Sequence, residues 1–510
     1  MRLLLPLFFL LIISAALPAQ DPVKSALAPC GSPVGVDPWL RTFRQQGPTV
    51  ADRSSDTLYA AVQVHLLASD AGTGRFSPGR LLDALCQLNT DFTASGIRFY
   101  LQDNWNNINS TAWWKHDSIP QGIELMLTNN VADALNTYFV SDPAGNCGYN
   151  LPYAGIAVAH SCSGPSDHTW AHEIGHALSL PHPFLGWEGK TYNFDQSTPD
   201  TLTYDYTYFH DSLEAQLPVP LDTALVEKLD GSNCAAAADL ICDTKSDYLS
   251  YRWNCDAQHN SLVKQRDPSG QEFYSDGTLF MSYAADACQN RFSDDQIAVM
   301  RANLQIKKAA WLDPGPPPPP IAATPVLLDP IDNVTLPNIG VQLHWAPVAG
   351  ATHYIVQATR IASFAVREFE LVSTDTSLTL PPLSVNTRYY WRVRPFSFWN
   401  FCAGTSPAET FMTGEITATT SPDADGWRCY PTCLAPGQEI TIETPAAWLN
   451  RPAYYALYDL TGRLCWTSTN PVHQTRMRLV LPANLSGGMY CLVVRTANGV
   501  KTERLVVSTR

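Results

Sequence analysis

The chain is poor in charged residues, and poorest in basic ones. Only 16% of its 510 residues are charged, with 33 lysines and arginines against 47 aspartates and glutamates, so the formal net charge is −14. Such an acidic chain is not expected to bind nucleic acid, since phosphate contacts need clustered cations. The 45% of apolar residues excludes a largely disordered chain.

Long apolar runs are also scarce. The one marked run, Leu3–Ile13, follows Arg2 and precedes small residues that end at Ala19. It is too short to span a membrane comfortably, so we predict a secretory signal peptide at residues 1–19, with a signal anchor as the alternative. We therefore expect a secreted or cell-surface protein.

Five consecutive prolines, Pro316–Pro320, favour a stiff spacer, and we place a linker at residues 313–321. Residues 56–312 contain apolar residues in both helical and strand-like spacing, which predicts an α/β (α+β) domain. The predicted strands are Leu58–Leu67, Ile97–Leu101, Ile123–Leu127 and Ala154–Ala159, and the predicted helices are Pro78–Phe92 and Ser166–Leu180, the latter capped by Ser166 or Asp167. We expect Ala154–Ala159 to be an edge strand that can pair with an extended peptide, with an internal strand as the alternative.

Two all-β sandwich domains are predicted after the linker. Residues 322–413 resemble a fibronectin type III module, with Trp345 and Tyr390 as core aromatics; an immunoglobulin-like module is the alternative. Residues 427–510, from Tyr430-Pro431 to a last apolar strand, resemble the C-terminal sorting domain of the type IX secretion pathway of Bacteroidetes-type bacteria. That resemblance implies the secretion machinery as a partner; an ordinary adhesive domain is the alternative.

The chemistry centres on three histidines and one glutamate. His172 and His176 are four residues apart, so a helix places both on one face, and His182 follows six residues later. Three such ligands leave a fourth position on Zn2+ for water, as a catalytic site requires. Glu173 adjoins the first ligand and is the expected general base.

A second motif, Met281-Ser282-Tyr283 followed by Cys288 and Phe292, makes the resemblance specific. Together with the histidines it resembles the pappalysin family of metzincin metalloproteases, over roughly residues 56–311. The resemblance implies that Met281 forms an apolar floor beneath the zinc and that Tyr283 contacts the reaction intermediate; a purely structural tyrosine is the alternative. It also implies a calcium site near Asp239, Asp243 and Thr244, against which stands a solvated acidic loop.

One residue departs from the metzincin pattern. Glycine normally stands where this chain has Ser179, because the helix exit there needs a positive φ. A serine in that conformation costs about 1 kcal/mol, unless the turn is made differently. The departure leaves the ligand set unchanged but the path from His176 to His182 open.

Thirteen cysteines leave at least one unpaired. Cys30, in a predicted pro-segment at residues 20–55, resembles a cysteine switch, in which a thiolate fills the fourth zinc position; a disulfide is the alternative. A cut near Arg53 would release it. We expect a bridge between Cys147 and Cys162, and two bridges of open connectivity among Cys234, Cys242, Cys255 and Cys288.

These observations predict a latent, secreted zinc endopeptidase that hydrolyses peptide bonds in extracellular proteins and is taken to be a monomer. A catalytically degenerate cell-surface adhesion protein is the alternative from another class. A zinc hydrolase with a downstream glutamate as third ligand is weaker, because it would leave His182 idle.

Overall fold

The computed structural model describes residues 27–46, 56–205, 221–313, 315–414, 426–459, 462–497 and 499–508. The predicted signal peptide and the predicted cut near Arg53 lie outside these ranges. The chain divides into two compact units. The first contains residues up to Ala322 together with 349–352 and 395–403, and the second contains the remainder.

A six-stranded sheet organises the first unit. Its order is β2-β1-β5-β8-β7, with β3 also paired to β1. All pairs are parallel except β7 with β8. β1 lies inside the sheet and is buried along nearly all its length, which its almost unbroken apolar run requires. The strands are β1 Leu58–Ala68, β2 Ile97–Leu101, β3 Asn106–Asn109, β5 Leu135–Val140, β7 Gly148–Leu151 and β8 Gly155–Ala159.

Short ladders complete the β structure of the first unit. Three strand pairs form outside the main sheet. They join β4 Lys115–His116 with β6 Asp142–Pro143, β9 Thr201–Asp205 with β10 Leu221–Leu225, and β11 Gln265–Arg266 with β12 Glu272–Phe273.

Six α-helices occur in the described part of the chain: α1 Pro38–Gln46, α2 Pro78–Asp91, α3 Thr111–Trp114, α4 Ile119–Asn129, α5 Thr169–Ala177 and α6 Asp294–Ile306. Local sequence explains several ends. Ser77 caps α2, which begins with Pro78, and Ser293 and Gln296 form a capping box at the start of α6. In the described residues, no helix is long and apolar enough to cross a membrane.

The predicted strand Ile123–Leu127 is wrong, because these residues lie inside α4. Pro120 in the first turn starts the helix, and Ile123 and Met126, three residues apart, share its buried face. A five-residue apolar run fits either periodicity, so only its packing decides. The other strands and the helix at Pro78 are confirmed.

Four disulfides brace the first unit. The predicted bridge Cys147–Cys162 is confirmed, and the two open pairs are Cys234–Cys242 and Cys255–Cys288. The fourth, Cys86–Cys402, was not predicted. It ties α2 to the segment 395–403, where Trp399 stacks on Tyr100 with ring centroids 4.1 Å apart.

The second unit consists of two pairs of sheets. The first pair consists of the sheets β13-β15-β18 and β14-β20-β19-β16-β17. The second pair consists of the sheets β21-β23-β26 and β22-β28-β27-β24-β25. Side chains of both sheets form one core in the second pair, as a β-sandwich requires. The strands are Leu327–Asp329, Val334–Pro337, Gln342–Trp345, His353–Thr359, Phe369–Ser373, Ser377–Thr379, Arg388–Phe396, Glu409–Gly414, Arg428–Tyr430, Cys433–Leu434, Glu439–Glu443, Pro452–Asp459, Leu464–Pro471, Arg476–Val480, Gly488–Thr496 and Gly499–Val507, numbered β13 to β28.

The core of the first sandwich is shifted by one residue from the prediction. Trp345 is buried as expected, but Tyr390 is only half-buried, whereas Tyr389 and Trp391 are fully buried. Side chains alternate between the faces of a strand, so a shift of one residue exchanges core and surface.

Candidate metal centre

The helix α5, which carries two of the histidines, starts in an unexpected way. Neither Ser166 nor Asp167 caps it, since the preceding residue is His168. The His168 N–H donates instead to Asp286 Oδ1 at 2.9 Å. A carboxylate from a distant loop thus sits at the positive end of this helix, which stabilises the helix start.

Three imidazoles converge beyond this helix start. The Nε2 atoms of His172 and His176 are 3.1 Å apart, those of His176 and His182 are 3.1 Å apart, and those of His172 and His182 are 3.3 Å apart. Bonds of 2.0–2.1 Å to one tetrahedral ion imply nitrogen–nitrogen separations of roughly 3.3–3.4 Å. The three predicted ligands therefore fit zinc.

The other ring nitrogens orient these ligands. Nδ1 of His172 donates to the Phe280 carbonyl oxygen at 2.7 Å, and Nδ1 of His176 donates to the Leu180 carbonyl oxygen at 2.7 Å. Nδ1 of His182 lies 3.1 Å from Glu188 Oε1. Such bonds keep the proton on Nδ1 and leave Nε2 as the metal donor. Burial lowers the pKa of His172 to about 3, so this ring is neutral.

Ser179 takes the role of the missing glycine. Its φ of 72° is left-handed, and its N–H donates to the His176 carbonyl oxygen at 2.9 Å. The N–H of Leu180 donates to the Gly175 carbonyl oxygen at 2.9 Å, which completes a Schellman motif. The turn is therefore the one that glycine would make, and the chain reverses in time to present His182.

Two hydrogen bonds offset the conformational cost at Ser179. Its hydroxyl donates to Asp37 Oδ2 at 2.6 Å and accepts from Asn303 Nδ2 at 2.7 Å. Glycine could make neither bond. Serine is less favourable than glycine in this backbone conformation, but its side chain anchors the loop Leu178–His182, which we call the metal loop.

Met281 lies beneath α5, fully buried. A Cβ added to Gly175 would meet its sulfur at 2.3 Å, so only glycine lets this methionine approach the helix. The structure therefore places Met281 where a floor beneath the ligands belongs, and Gly175 is a site residue that sequence reasoning missed.

Glu173 points into the site and is fully buried. A Cβ at Gly148 would meet its Cγ at 2.9 Å, so glycine on the neighbouring strand makes room for the carboxylate. Burial raises the pKa of Glu173 to about 8. Its Oε2 accepts from the Ser32 hydroxyl at 2.7 Å, while Oε1 has no hydrogen-bond partner in the described residues.

Cys30 completes the centre and is not in a disulfide. Its sulfur lies 3.7 Å from His176 Nε2 and 3.7 Å from Glu173 Oε2. In the described residues, Cys30 and the three histidines are the one group of three or more histidine, cysteine or acidic side chains placed to hold a metal ion, and their ligand atoms all lie within 4.8 Å of one another. Zinc accepts this donor set.

The residues around Cys30 pair with the sheet. We call residues 27–46 the N-terminal segment. Within it, the Ala28 N–H donates to the Gly145 carbonyl oxygen at 2.9 Å, and the Gly31 N–H donates to the Gly148 carbonyl oxygen at 2.9 Å. The Asn150 N–H donates to Ser32 Oγ at 2.7 Å. The bonds to Gly148 and Asn150 lie on β7, an edge strand of the sheet, and the bond to Gly145 lies just before it.

Sequence reasoning placed the edge strand wrongly. Ala154–Ala159 was expected there, but β8 lies between β5 and β7. Its continuous apolar run suits an interior strand, whereas Gly148–Leu151 carries less apolar side-chain mass and was not recognised.

Tyr283 lies against the ligands. Its ring centroid is 4.9 Å from that of His182, and its hydroxyl donates to the Cys30 carbonyl oxygen at 3.5 Å. Burial raises its pKa well above the usual value, so the phenol is protonated. It can therefore donate a hydrogen bond to a carbonyl group of a chain that crosses the site.

The acidic residues of the expected calcium site separate into two groups. Asp243 accepts from Ser293 Oγ at 2.6 Å and from the Asp295 N–H at 2.8 Å, so it supports the start of α6. Asp239 is fully buried and accepts from Thr244 Oγ1 at 3.2 Å. Burial raises the pKa of Asp239 and of its neighbour Glu227, whose Oε2 has no hydrogen-bond partner in the described residues.

Three fungal proteins are similar to part of this chain. "Extracellular metalloprotease" of Pyricularia oryzae is 28% identical over 158 residues, which cover 28% of this chain and 55% of the relative. That of Colletotrichum graminicola is 28% identical over 151 residues (26% and 53%), and "Extracellular metalloprotease 1" of Coccidioides posadasii is 27% identical over 156 residues (26% and 56%). The chain spans about half the length of these curated relatives.

Other comparisons are less informative. No family model matches the chain. Solved structures that resemble it include the fibronectin type III domains FN1–FN3 of chicken CNTN1, with a TM-score of 0.16 and 14% identity, covering 37% of this chain and 68% of that one. The fibronectin type III domain of human KIAA0970 has a TM-score of 0.15 and 20% identity, covering 19% and 74%. Scores this low support no conclusion.

Replacing Ser179 tests how the metal loop is anchored. Ser179→Ala keeps the left-handed strain and loses both side-chain hydrogen bonds, so we expect it to lower the free energy of unfolding by about 1–3 kcal/mol. Ser179→Gly loses the same bonds but relieves the strain, and should cost less. Thermal unfolding of the two variants measures the difference; equal losses would contradict a strained Ser179.

Proposed function

We propose that this chain is a zinc-dependent endopeptidase of the pappalysin type within the metzincins, made as a latent precursor. The observation that carries the proposal is the convergence of three imidazole Nε2 atoms within 3.3 Å of one another. Two of these histidines lie on α5, which also carries Glu173. The methionine beneath α5 and the similarity to extracellular metalloproteases support it.

His172, His176 and His182 would hold the zinc. The bound ion supplies a Lewis acid that makes water acidic enough to lose a proton near neutral pH. Glu173 Oε1, which has no hydrogen-bond partner in the described residues, would accept that proton and deliver it to the leaving amine. The charge of the bound ion would favour the carboxylate and so oppose the effect of burial on the pKa of Glu173. The Tyr283 hydroxyl would donate to the carbonyl oxygen as its negative charge develops.

The edge strand β7 would hold the substrate. The Gly148 carbonyl oxygen and the Asn150 N–H already bind an extended segment of this chain. The bond from the Gly31 N–H to the Gly148 carbonyl oxygen is backbone to backbone, and bonds of this kind bind peptides of many sequences, since they do not involve side chains. Protein and peptide substrates therefore suit the site.

Replacing Glu173 separates metal binding from catalysis. In processed protein, Glu173→Gln removes the proton acceptor and leaves the three histidines intact, so we expect unchanged zinc content and a loss of activity of about 10²–10⁴-fold. Casein cleavage and metal analysis measure the two effects. Chelation should abolish wild-type cleavage and added zinc restore it; a Glu173→Gln protein as active as wild type would refute the mechanism.

We also propose that the N-terminal segment keeps the enzyme latent. Cys30 would occupy the fourth zinc position, while Ser32 hydrogen-bonds Glu173 and Gly31 pairs with the edge strand. Helix α1 adds Leu40 and Phe43, both buried, as further anchors. Metal, general base and substrate strand would all be blocked at once.

Variants of the unprocessed protein test this latency. Cys30→Ala opens the metal position but keeps the Ser32 and Gly31 bonds, so we expect only part of the activity of processed enzyme. Cys30→Ala/Ser32→Ala should be more active, since Glu173 is also released. Thr42→Ala, an exposed change in α1, is the matched control and should stay latent. A double variant as inactive as wild type would place the latency elsewhere.

A calcium site is proposed beside the buried carboxylates. Asp239 and Thr244 keep their predicted roles as ligands. Glu227 takes the place of Asp243, whose carboxylate already accepts hydrogen bonds at the start of α6. Two buried carboxylates repel each other, which a divalent cation with oxygen ligands relieves.

Calcium should therefore stabilise the protein. At 100 times its dissociation constant, a single bound ion adds roughly 2.7 kcal/mol to the free energy of unfolding. We expect a higher Tm with Ca2+, and no rise in Glu227→Gln. The exposed Asp230→Asn is the control and should respond as wild type. A Ca2+ effect that survives Glu227→Gln would exclude this site.

We propose that the protein is exported from the cell. The fungal relatives are named extracellular, and four disulfides suit an oxidising compartment. We propose a secreted or surface-bound monomer, with residues 322–413 as a fibronectin type III-like module and residues 427–510 as a type IX sorting domain that meets the secretion machinery. The alternative, a catalytically degenerate adhesion protein, is disfavoured because the three histidines converge and Glu173 lies beside the same centre, in contact with Cys30.

A further inference from the structure

A small pocket adjoins the metal centre on the side of His172. Its lining includes Thr169, Ser282, Tyr283, Arg252 and Asp286, and the N-terminal segment contributes Pro29. Pro29 precedes Cys30, whose sulfur is at the metal position. Once the N-terminal segment is displaced, a substrate side chain next to the scissile bond would be able to enter this pocket.

Asp286 is the acidic group of this pocket, but both its oxygens face protein groups. Oδ1 accepts from the His168 N–H at 2.9 Å, and Oδ2 lies 3.6 Å from a terminal nitrogen of Arg252. The carboxylate thus supports the start of α5 and faces a fixed cation. A basic substrate side chain would have to compete with Arg252 for it.

Arg252 is held firmly beside this carboxylate. The Trp253 N–H donates to the Tyr283 carbonyl oxygen at 3.2 Å, and the Ala285 N–H donates to the Trp253 carbonyl oxygen at 2.8 Å, which joins the arginine's segment to the pocket loop. The second terminal nitrogen lies 3.5 Å from the sulfur of Cys147. Only 18% of the Arg252 side chain is exposed, and its Nε has no hydrogen-bond partner in the described residues.

We propose that Arg252 determines substrate specificity by excluding lysine and arginine from this pocket. The inference rests on the proposed peptidase activity. A second cation beside a poorly solvated guanidinium is repelled, and Asp286 is already neutralised. Neutral and acidic side chains meet no such repulsion. The preferred substrates are thus peptides with a neutral or acidic residue next to the scissile bond.

Peptide-library profiling of the full chain tests the proposal, after processing at a specific protease site introduced within residues 47–55. The readout is the ratio of kcat/KM for Lys or Arg to kcat/KM for Ala, at each position flanking the cleaved bond. Wild type should disfavour Lys and Arg at one position. In Arg252→Leu we expect that ratio to rise about tenfold or more, because Asp286 is exposed to the substrate.

Two matched variants isolate the charge. Arg252→Lys keeps a cation and should keep the wild-type ratio within a few-fold. Arg252→Leu/Asp286→Asn removes the carboxylate's charge but retains an acceptor for the His168 N–H. The ratio in this double variant should therefore not rise as it does in Arg252→Leu. Each ratio compares two substrates of one enzyme, so a general loss of folded protein cancels.

The outcomes are distinct. A wild-type preference for Lys or Arg on both sides of the cleaved bond would overturn the proposal, even if no variant folds. An unchanged ratio in Arg252→Leu would overturn it as well. Failure of wild type to cleave any peptide, or cleavage that resists chelation, would instead refute the proposed peptidase activity.

Discussion

The constraint on which this structure depends is that three imidazole nitrogens must meet within 3.3 Å. A single helix places His172 and His176, but His182 reaches them only if the chain reverses directly after that helix. Ser179 makes the reversal with a φ of 72°. Asn303 of α6 and Asp37 of the N-terminal segment bind its hydroxyl, so the metal loop is coupled to two distant parts of the first unit. Two glycines also shape the centre. Gly175 leaves room for Met281 below the helix, and Gly148 leaves room for Glu173 beside it.

The N-terminal segment is bound through backbone bonds to β7 and to the residues just before it, and through side chains over the metal centre. Its inhibition would therefore come from many modest contacts as well as from one thiol. Each contact is individually weak, but together they order a segment whose flexibility would otherwise oppose binding. The same contacts mark where substrates are expected to lie.

Asp286 supports the fold and, under the proposed activity, would also affect substrate specificity. It replaces a local cap at the start of α5, and it pairs with Arg252 in the pocket beside His172. A carboxylate committed to two protein groups is a poor partner for a third, since its charge is already compensated. An acid near a peptide site therefore does not by itself predict a preference for basic residues.

The sequence alone predicted the residues of the metal centre. Histidines four and six residues apart, the adjoining glutamate, the Met281 motif, the linker and the Cys147–Cys162 bridge were predicted from spacing and residue type, whereas the pairing of Cys234, Cys242, Cys255 and Cys288 stayed open until the structure. Short apolar runs were ambiguous, so Ile123–Leu127 was taken for a strand, Ala154–Ala159 for the edge, and Tyr390 for a core residue in place of Tyr389. Only the tertiary structure brought Cys86 to Cys402, Glu227 to Asp239, and Arg252 to Asp286. These pairs are separated in the chain and follow no local periodicity, so packing decides them.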